Sequence, residues 1–301
     1  MRLREMVGTA YALLDLSENE VIPVQEMIRY LSDGELQVAN ALLNSQREKF
    51  MVRTTIAAVD AQADYDLPID TLEVVRIEYA GAEGIRIPAK VASAMVQNRG
   101  YEPIKGYQQF YVEVKGTLGK AQFTLYPTPD DTTNITVWYY QKPLGFHIEG
   151  MYEGALTAAV SETVFNDAKI PFAGASAVAG IDDFWNGAIL RFVSGLNRNQ
   201  ERYVLDFTED LLGVYGSLTV ETGFPNVPTA GDEFEIDQVS IIPDQHHPLV
   251  TYWAAIMGGP KAQKDPAIFE KLFSKGMESI TLGHRGDMDG PIPTLVTQGA
   301  E

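Results

Sequence analysis

The chain has 301 residues, 45% of them hydrophobic and 10% aromatic, enough for two domains that each bury a core. It contains no cysteine, which excludes disulfides, thiolate zinc sites and cysteine nucleophiles and suits a reducing compartment. With 41 acidic against 23 basic residues the formal charge is -18, so the chain as a whole repels phosphate backbones and a nucleic-acid-grasping role is disfavoured.

No stretch approaches the roughly 18 consecutive apolar residues that span a bilayer, and the start MRLREMVGTAYALLDLSENE breaks into charge too soon for a signal peptide. The expectation is a soluble, unexported protein with no membrane partner. The charge is uneven. Between His147 and Val239 there are 15 acids and 4 bases, against 26 and 19 in the rest, a first sign of a boundary.

In chain order, Met6, Ala10, Leu13 and Leu14 recur at helical spacing, and Pro23 stands where a second helix starts. Met27, Ile28, Leu31, Leu36, Ala39, Leu42 and Leu43 give that helix a buried stripe. Ser32-Asp33-Gly34-Glu35 fits a capping box that could divide it, but the stripe favours one helix. From Lys49 the period changes to strands, through FMVRTTIAAVD and ADYDLPIDTLEVVRIEY. GKAQFTLYPTPDDTTNITVWYYQKP then reads as a hairpin, with Phe123, Leu125, Ile135, Val137 and Tyr139 on an apolar face. Its other face carries Tyr126, Trp138 and Tyr140, large side chains with polar tips that favour partly wet interfaces.

After Lys142-Pro143-Leu144-Gly145 come short alternating strands around Ala188–Val193, Arg202–Phe207, Leu218–Val220 and Phe234–Ile236, separated by Gly, Asn, Pro and Asp turns, as in a small β-sandwich or barrel. Pro243-Asp244 returns the chain to helices. PLVTYWAAIMG is stopped by Gly258-Gly259-Pro260, and IFEKLFSKGMESI follows Asp265-Pro266. The closing HRGDMDGPIPTLVTQGAE has no period and reads as an arm or disordered tail.

Candidate chemistry is thin. His246 and His247 are neighbours, about 100° apart on a helix, without a third ligand at i+4, and fit helix-start positions better than a metal site. Asp182-Asp183, Glu209-Asp210 and Asp232-Glu233 fall in predicted turns without the spacing of a preformed calcium loop, and nothing places two of them across a sugar. There is no phosphate-cradling glycine motif and no G-x-S-x-G elbow. Arg2, Arg4 and Arg29, balanced by Glu5, Asp15, Glu18 and Glu20, read as an ordinary solvated face. No catalytic residue, cofactor site or metal site is assigned.

Three stretches together resemble the head-to-tail adaptor (connector) proteins of tailed bacteriophages. They are IRYLSDGELQVANAL in the second helix, the aromatic-x-Leu-Pro-x-Asp of Tyr65, Leu67, Pro68 and Asp70 leading into a strand, and Phe123-Thr124-Leu125-Tyr126-Pro127 followed by Val137-Trp138-Tyr139-Tyr140, with Tyr252-Trp253-Ala254 later. The resemblance spans about two thirds of the chain in order and spacing. It departs from the minimal family pattern by the acidic β insertion, although larger adaptors carry an extra β domain at such a place.

The resemblance implies a non-enzymatic virion protein of the neck, assembled in the host cytoplasm. It would form a ring with itself, a dodecamer, between the portal protein and tail or nozzle proteins, and DNA would pass through its lumen without specific binding. The expected fold is α+β: a helical bundle with an antiparallel hairpin and sheet base from residues 1–146 and 240–283, and an inserted all-β sandwich or barrel at 147–239. Residues 284–301 would be a portal-docking arm, with His284, Arg285, Met288, Ile292 and Leu295 as its candidates. Tyr126, Trp138 and Tyr140 are the candidate subunit interface. The alternative is a carbohydrate-binding or carbohydrate-cleaving phage protein that uses the aromatic residues and acidic loops of the β insertion.

Overall fold

A computed structural model describes residues 1–68, 70–80, 82–87, 109–115, 120–126, 128–129, 133–167, 170, 184–209 and 216–288. The fold is mixed α+β, and the chain divides into two compact units, Leu42–Leu144 and the combination of Met1–Ala41 with Gly145–Glu301.

The larger unit holds the helices α1 (Leu3–Leu13), α3 (His247–Gly258) and α4 (Ala267–Met288), and most of α2 (Val24–Ser45). α2 is a single helix of 22 residues, so Ser32-Asp33-Gly34-Glu35 does not interrupt it. Met27, Ile28, Leu31, Val38, Ala39 and Leu42 are buried along one stripe, and burying that stripe outweighs a local cap. Glycine lets α3 come close on both sides. A Cβ at Gly34 of α2 would lie 3.0 Å from the Trp253 Cβ and from the Val250 carbonyl oxygen, and one at Gly276 of α4 would overlap Leu249. Trp253 packs on Phe273 and Tyr252 stacks on Phe269, completing the predicted helical pair. α4 runs on through His284 and Arg285 to Met288, beyond the helix end read from the sequence.

The smaller unit is two sheets face to face. One has the order β1-β8-β3-β4, from Met51–Ile56, Ile135–Gln141, Thr71–Tyr79 and Ala82–Glu83. The other has the order β2-β7-β6-β5, from Asp64–Asp66, Lys120–Tyr126, Gln109–Lys115 and Ile85–Arg86, with β5 and β6 parallel. Val74, Ile77, Ile135, Val137 and Tyr139 of the first meet Tyr65, Phe110, Phe123 and Leu125 of the second in one core. The predicted hairpin is therefore corrected. β7 pairs with β2 and β6, and β8 with β1 and β3, so the two strands face each other across the core. Eight residues separate them, longer than the two to five of a usual hairpin loop.

The acidic segment forms one antiparallel sheet of seven strands, in the order β10-β11-β14-β13-β12-β15-β9. The strands are β9 (Met151–Ala155), β10 (Ala158–Ala159), β11 (Val164–Asp167), β12 (Ile189–Phe192), β13 (Glu201–Glu209), β14 (Gly216–Val220) and β15 (Glu233–Asp237). β11 and β9 stand five places apart, which is about 24 Å in a flat sheet. Yet the Tyr152 hydroxyl of β9 donates to Asp167 Oδ2 of β11 at 2.7 Å. The sheet thus curls until its ends meet, around Phe165, Trp185, Phe192, Phe207, Phe224 and Phe234. The Phe165 and Phe192 rings, three strands apart, are 5.9 Å apart edge to face.

Candidate interaction surfaces

The Tyr65, Leu67, Pro68, Asp70 pattern acts as a fastener in the smaller unit. Tyr65 is buried, stacks on Phe123 with centroids 5.4 Å apart, and donates its hydroxyl to the Gln62 carbonyl at 3.0 Å. Asp70 accepts from the Tyr139 hydroxyl at 3.2 Å and from Gln141 Nε2 at 2.7 Å, tying the start of β3 to the end of β8. Burial and the Asp70 carboxylate hold the Tyr139 phenol above its usual range, so it stays a donor.

Trp138 and Tyr140 stand on the outer face of the β1-β8-β3 sheet, where the register sets Arg53 of β1 and Arg76 of β3 on either side of Trp138. The Arg76 and Arg53 guanidinium carbons lie 4.5 and 5.6 Å from the indole centroid, and that of Arg47 lies 4.3 Å from the Tyr140 ring. Arg47 pairs with Glu73, and Arg76 pairs with Glu78 at 3.1 Å. Arginines from the neighbouring strands and from the turn before β1 thus half-cover this aromatic face. Tyr126 does not join it. Phe123 and Leu125 of β7 face the core, so Tyr126 belongs with Gln122 and Thr124 on the outer face of the opposite sheet.

Arg2 and Arg4 are not a solvated face. They reach the β15 and β9 strands, where Arg4 meets Asp237 at 3.2 Å and Glu153 at 2.5 Å, and Arg2 meets Glu235 at 3.1 Å and Glu5 at 3.2 Å. Asp237 is fully buried, and desolvation raises its pKa against the pull of Arg4 and Arg2. The Leu3 amide donates to the Gln238 carbonyl at 2.9 Å, so α1 is pinned to the end of the curled sheet by backbone as well as charge. Partners 149 and 233 residues distant carry no local signal.

Glu35 was also missed. It is 3% exposed and accepts from Ser240 Oγ at 2.6 Å and the Ile241 amide at 3.3 Å. Burial pushes its pKa up to about 7. Its place between Leu31 and Ala39 in the apolar stripe was the available clue.

His246 ends a short 3-10 turn and His247 opens α3, the helix-start positions expected. His247 is buried with Nε2 2.7 Å from the Ile242 carbonyl oxygen, and burial lowers its pKa. Among the described residues no three histidines or carboxylates converge as metal ligands. The phenylalanines named in the curled sheet's core, with Trp185, are turned inward, while Tyr203 on β13 is 51% exposed. His284, Arg285 and Met288 lie on the last turns of α4, and Ile292 and Leu295 are outside the described residues.

Residues 1–149 match the family model described as SU10 adaptor protein. This part of the chain belongs to a phage head-to-tail adaptor family. The adaptor match takes in α1, α2, the fastener at Tyr65 and Asp70 and the whole arginine–aromatic sheet, and stops just before β9. No curated protein matches the chain. The match supports a structural adaptor role in the virion, alongside other virion proteins. No helix among the described residues is long and apolar enough to cross a membrane.

Proposed function

We propose that the chain is a non-enzymatic subunit of the virion neck that closes into a ring with its own copies, twelve by the resemblance, and joins the portal to the tail. The observation that carries this reading is the adaptor match over residues 1–149. The charge supports a passive conduit: at -18 the subunit offers a duplex few sites for counterion release, so DNA slides through the lumen without being held. Residues 284–301, which begin in the last turns of α4, are the segment we assign to the portal. The curled acidic sheet at 147–239 is an addition to the adaptor base.

The test is negative-stain imaging and native mass measurement of the full chain with the portal of the same virion. Rings seated on the portal are expected. A chain that stays monomeric and leaves the portal bare overturns the reading. Deleting residues 284–301 is expected to leave folding intact and abolish portal docking.

A further inference from the structure

The outer face of the β1-β8-β3 sheet lays three arginines on two aromatic rings, in a unit that is close to neutral. Its unit, Leu42–Leu144, holds 11 basic and 12 acidic residues, a net of -1, while the remainder holds 12 basic and 29 acidic, a net of -17. On the face itself Arg47, Arg53 and Arg76 stand against Glu73 and Glu78. The Arg47 and Arg76 side chains are 42% and 40% exposed, so the face is open to a partner. Arg53 meets no carboxylate among the described residues, and the covered Trp138 Nε1, which can only donate, has no acceptor among them.

We propose that this arginine–aromatic face receives the acidic surface of a second copy of the chain, in a head-to-tail contact. Planar guanidiniums already laid on aromatic rings have lost much of their rotational freedom, so a carboxylate can be taken up bidentately at low entropic cost. The acids to meet this face are present on the curled sheet, which exposes Glu201, Glu221 and Glu233. A two-fold contact of this face with itself opposes two patches of the same net positive sign, three arginines against two glutamates each, and one between two acidic units sets like charges together. Only the unlike pairing brings opposite signs into contact, and a repeated unlike pairing is the kind that closes into a ring. Nucleic acid fits less well, because two of the three arginines already hold glutamates and successive phosphates need an unpaired basic row.

This inference rests on the ring reading, and one experiment separates their failures. Self-association of the full chain is followed by sedimentation velocity at low and high salt, for the native sequence, R53E, R53E/R76E and R53K/R76K, with circular dichroism as the folding check. The native chain is expected to associate more weakly as salt rises. R53E is expected to lose at least about tenfold in association, the double reversal more, and the lysine pair less. R53E, with no carboxylate partner to lose, keeps the test valid if the double variant fails to fold. Equal assembly by R53E and the native chain overturns this surface and leaves the ring standing. A native chain that never associates, alone or on the portal, overturns both. A salt-dependent shift of single- or double-stranded DNA that R53E abolishes reassigns the face to nucleic acid and overturns the proposal.

Discussion

The Arg4 guanidinium lies 3.2 Å from the carboxylate of Asp237, a residue 233 positions away with no solvent exposure of its own. Helix α1 therefore neutralises a buried charge on the last strand of the curled sheet. Removing one partner of such a pair leaves the other desolvated and uncompensated, which costs more than the pair itself contributes. Arg4→Ala is expected to destabilise the protein by about 2–3 kcal/mol, moderated by Arg2, whose guanidinium remains 3.9 Å from Asp237. Asp237→Asn removes the buried charge as well as the bond and should cost clearly less. Urea midpoints of the two variants decide it, and equal losses would mean that the pairing is incidental.

Tyr152 and Asp167 close the curled sheet across its open side. Asp167 is buried, and its charge and the burial of the phenol hold the Tyr152 hydroxyl protonated well above its usual range, so it donates at every ordinary pH. Tyr152→Phe deletes a hydrogen bond to an ionised group and is expected to cost about 2 kcal/mol. The near-ultraviolet circular dichroism of the enclosed rings should weaken together with the urea midpoint. An unchanged midpoint would show that the sheet holds its curl through the phenylalanine core alone.

Periodicity identified elements better than partners. α2 was legible as one helix because the stripe from Met27 to Leu42 persists through Gly34, and the α3–α4 pair because Gly258-Gly259-Pro260 and Asp265-Pro266 punctuate it. β7 and β8 were legible as strands, but alternation says which face is buried and is silent on which neighbour supplies the hydrogen bonds. Their real partners, β2 with β6 and β1 with β3, are set by the two-sheet core. The same limit hid the arginines around Trp138, which stand beside it through cross-strand register alone. Arg2 and Arg4 read as solvent-facing because charge balance over twenty residues ignores a carboxylate on a distant strand.

The two helical glycines Gly8 and Gly34 should respond in opposite directions to alanine. Gly8 lies in α1 with nothing within 4 Å of an added Cβ, so Gly8→Ala gains helix propensity and loses no contact. A stabilisation of about 0.5–1 kcal/mol is expected. At Gly34 the same methyl meets the Trp253 Cβ and the Val250 carbonyl oxygen at 3.0 Å, both fixed to the α3 backbone. The helices must separate, and overpacking of this kind costs about 1–3 kcal/mol, enough to reverse the propensity gain. Thermal melts of the pair check the sign. A stabilising Gly34→Ala would mean that α2 and α3 cross less closely than described.

Glu35 makes stability depend on pH in a direction opposite to that of an ordinary salt-bridged carboxylate. Its carboxyl is buried in mid-helix, its only partners are the Ser240 hydroxyl and the Ile241 amide, and no lysine or arginine pairs with it among the described residues. Desolvation lifts the folded pKa to about 7, from 4.5 when exposed. Below pH 4.5 both states are protonated and the group has no effect. Between 4.5 and 7 the folded state binds the extra proton, so stability falls as pH rises, and above 7 the penalty is complete at about 3 kcal/mol. Glu35→Gln keeps an acceptor for both donors and removes the charge. It is expected to be close to neutral at pH 4.5 and to stabilise the protein by about 2–3 kcal/mol at pH 8. Urea unfolding of the native chain and the variant at pH 4.5, 6 and 8 isolates this group, because the other carboxylates contribute equally to both. A difference between them that stays flat with pH would mean that the folded protein keeps Glu35 ionised at no cost, through water or a cation reaching Ser240.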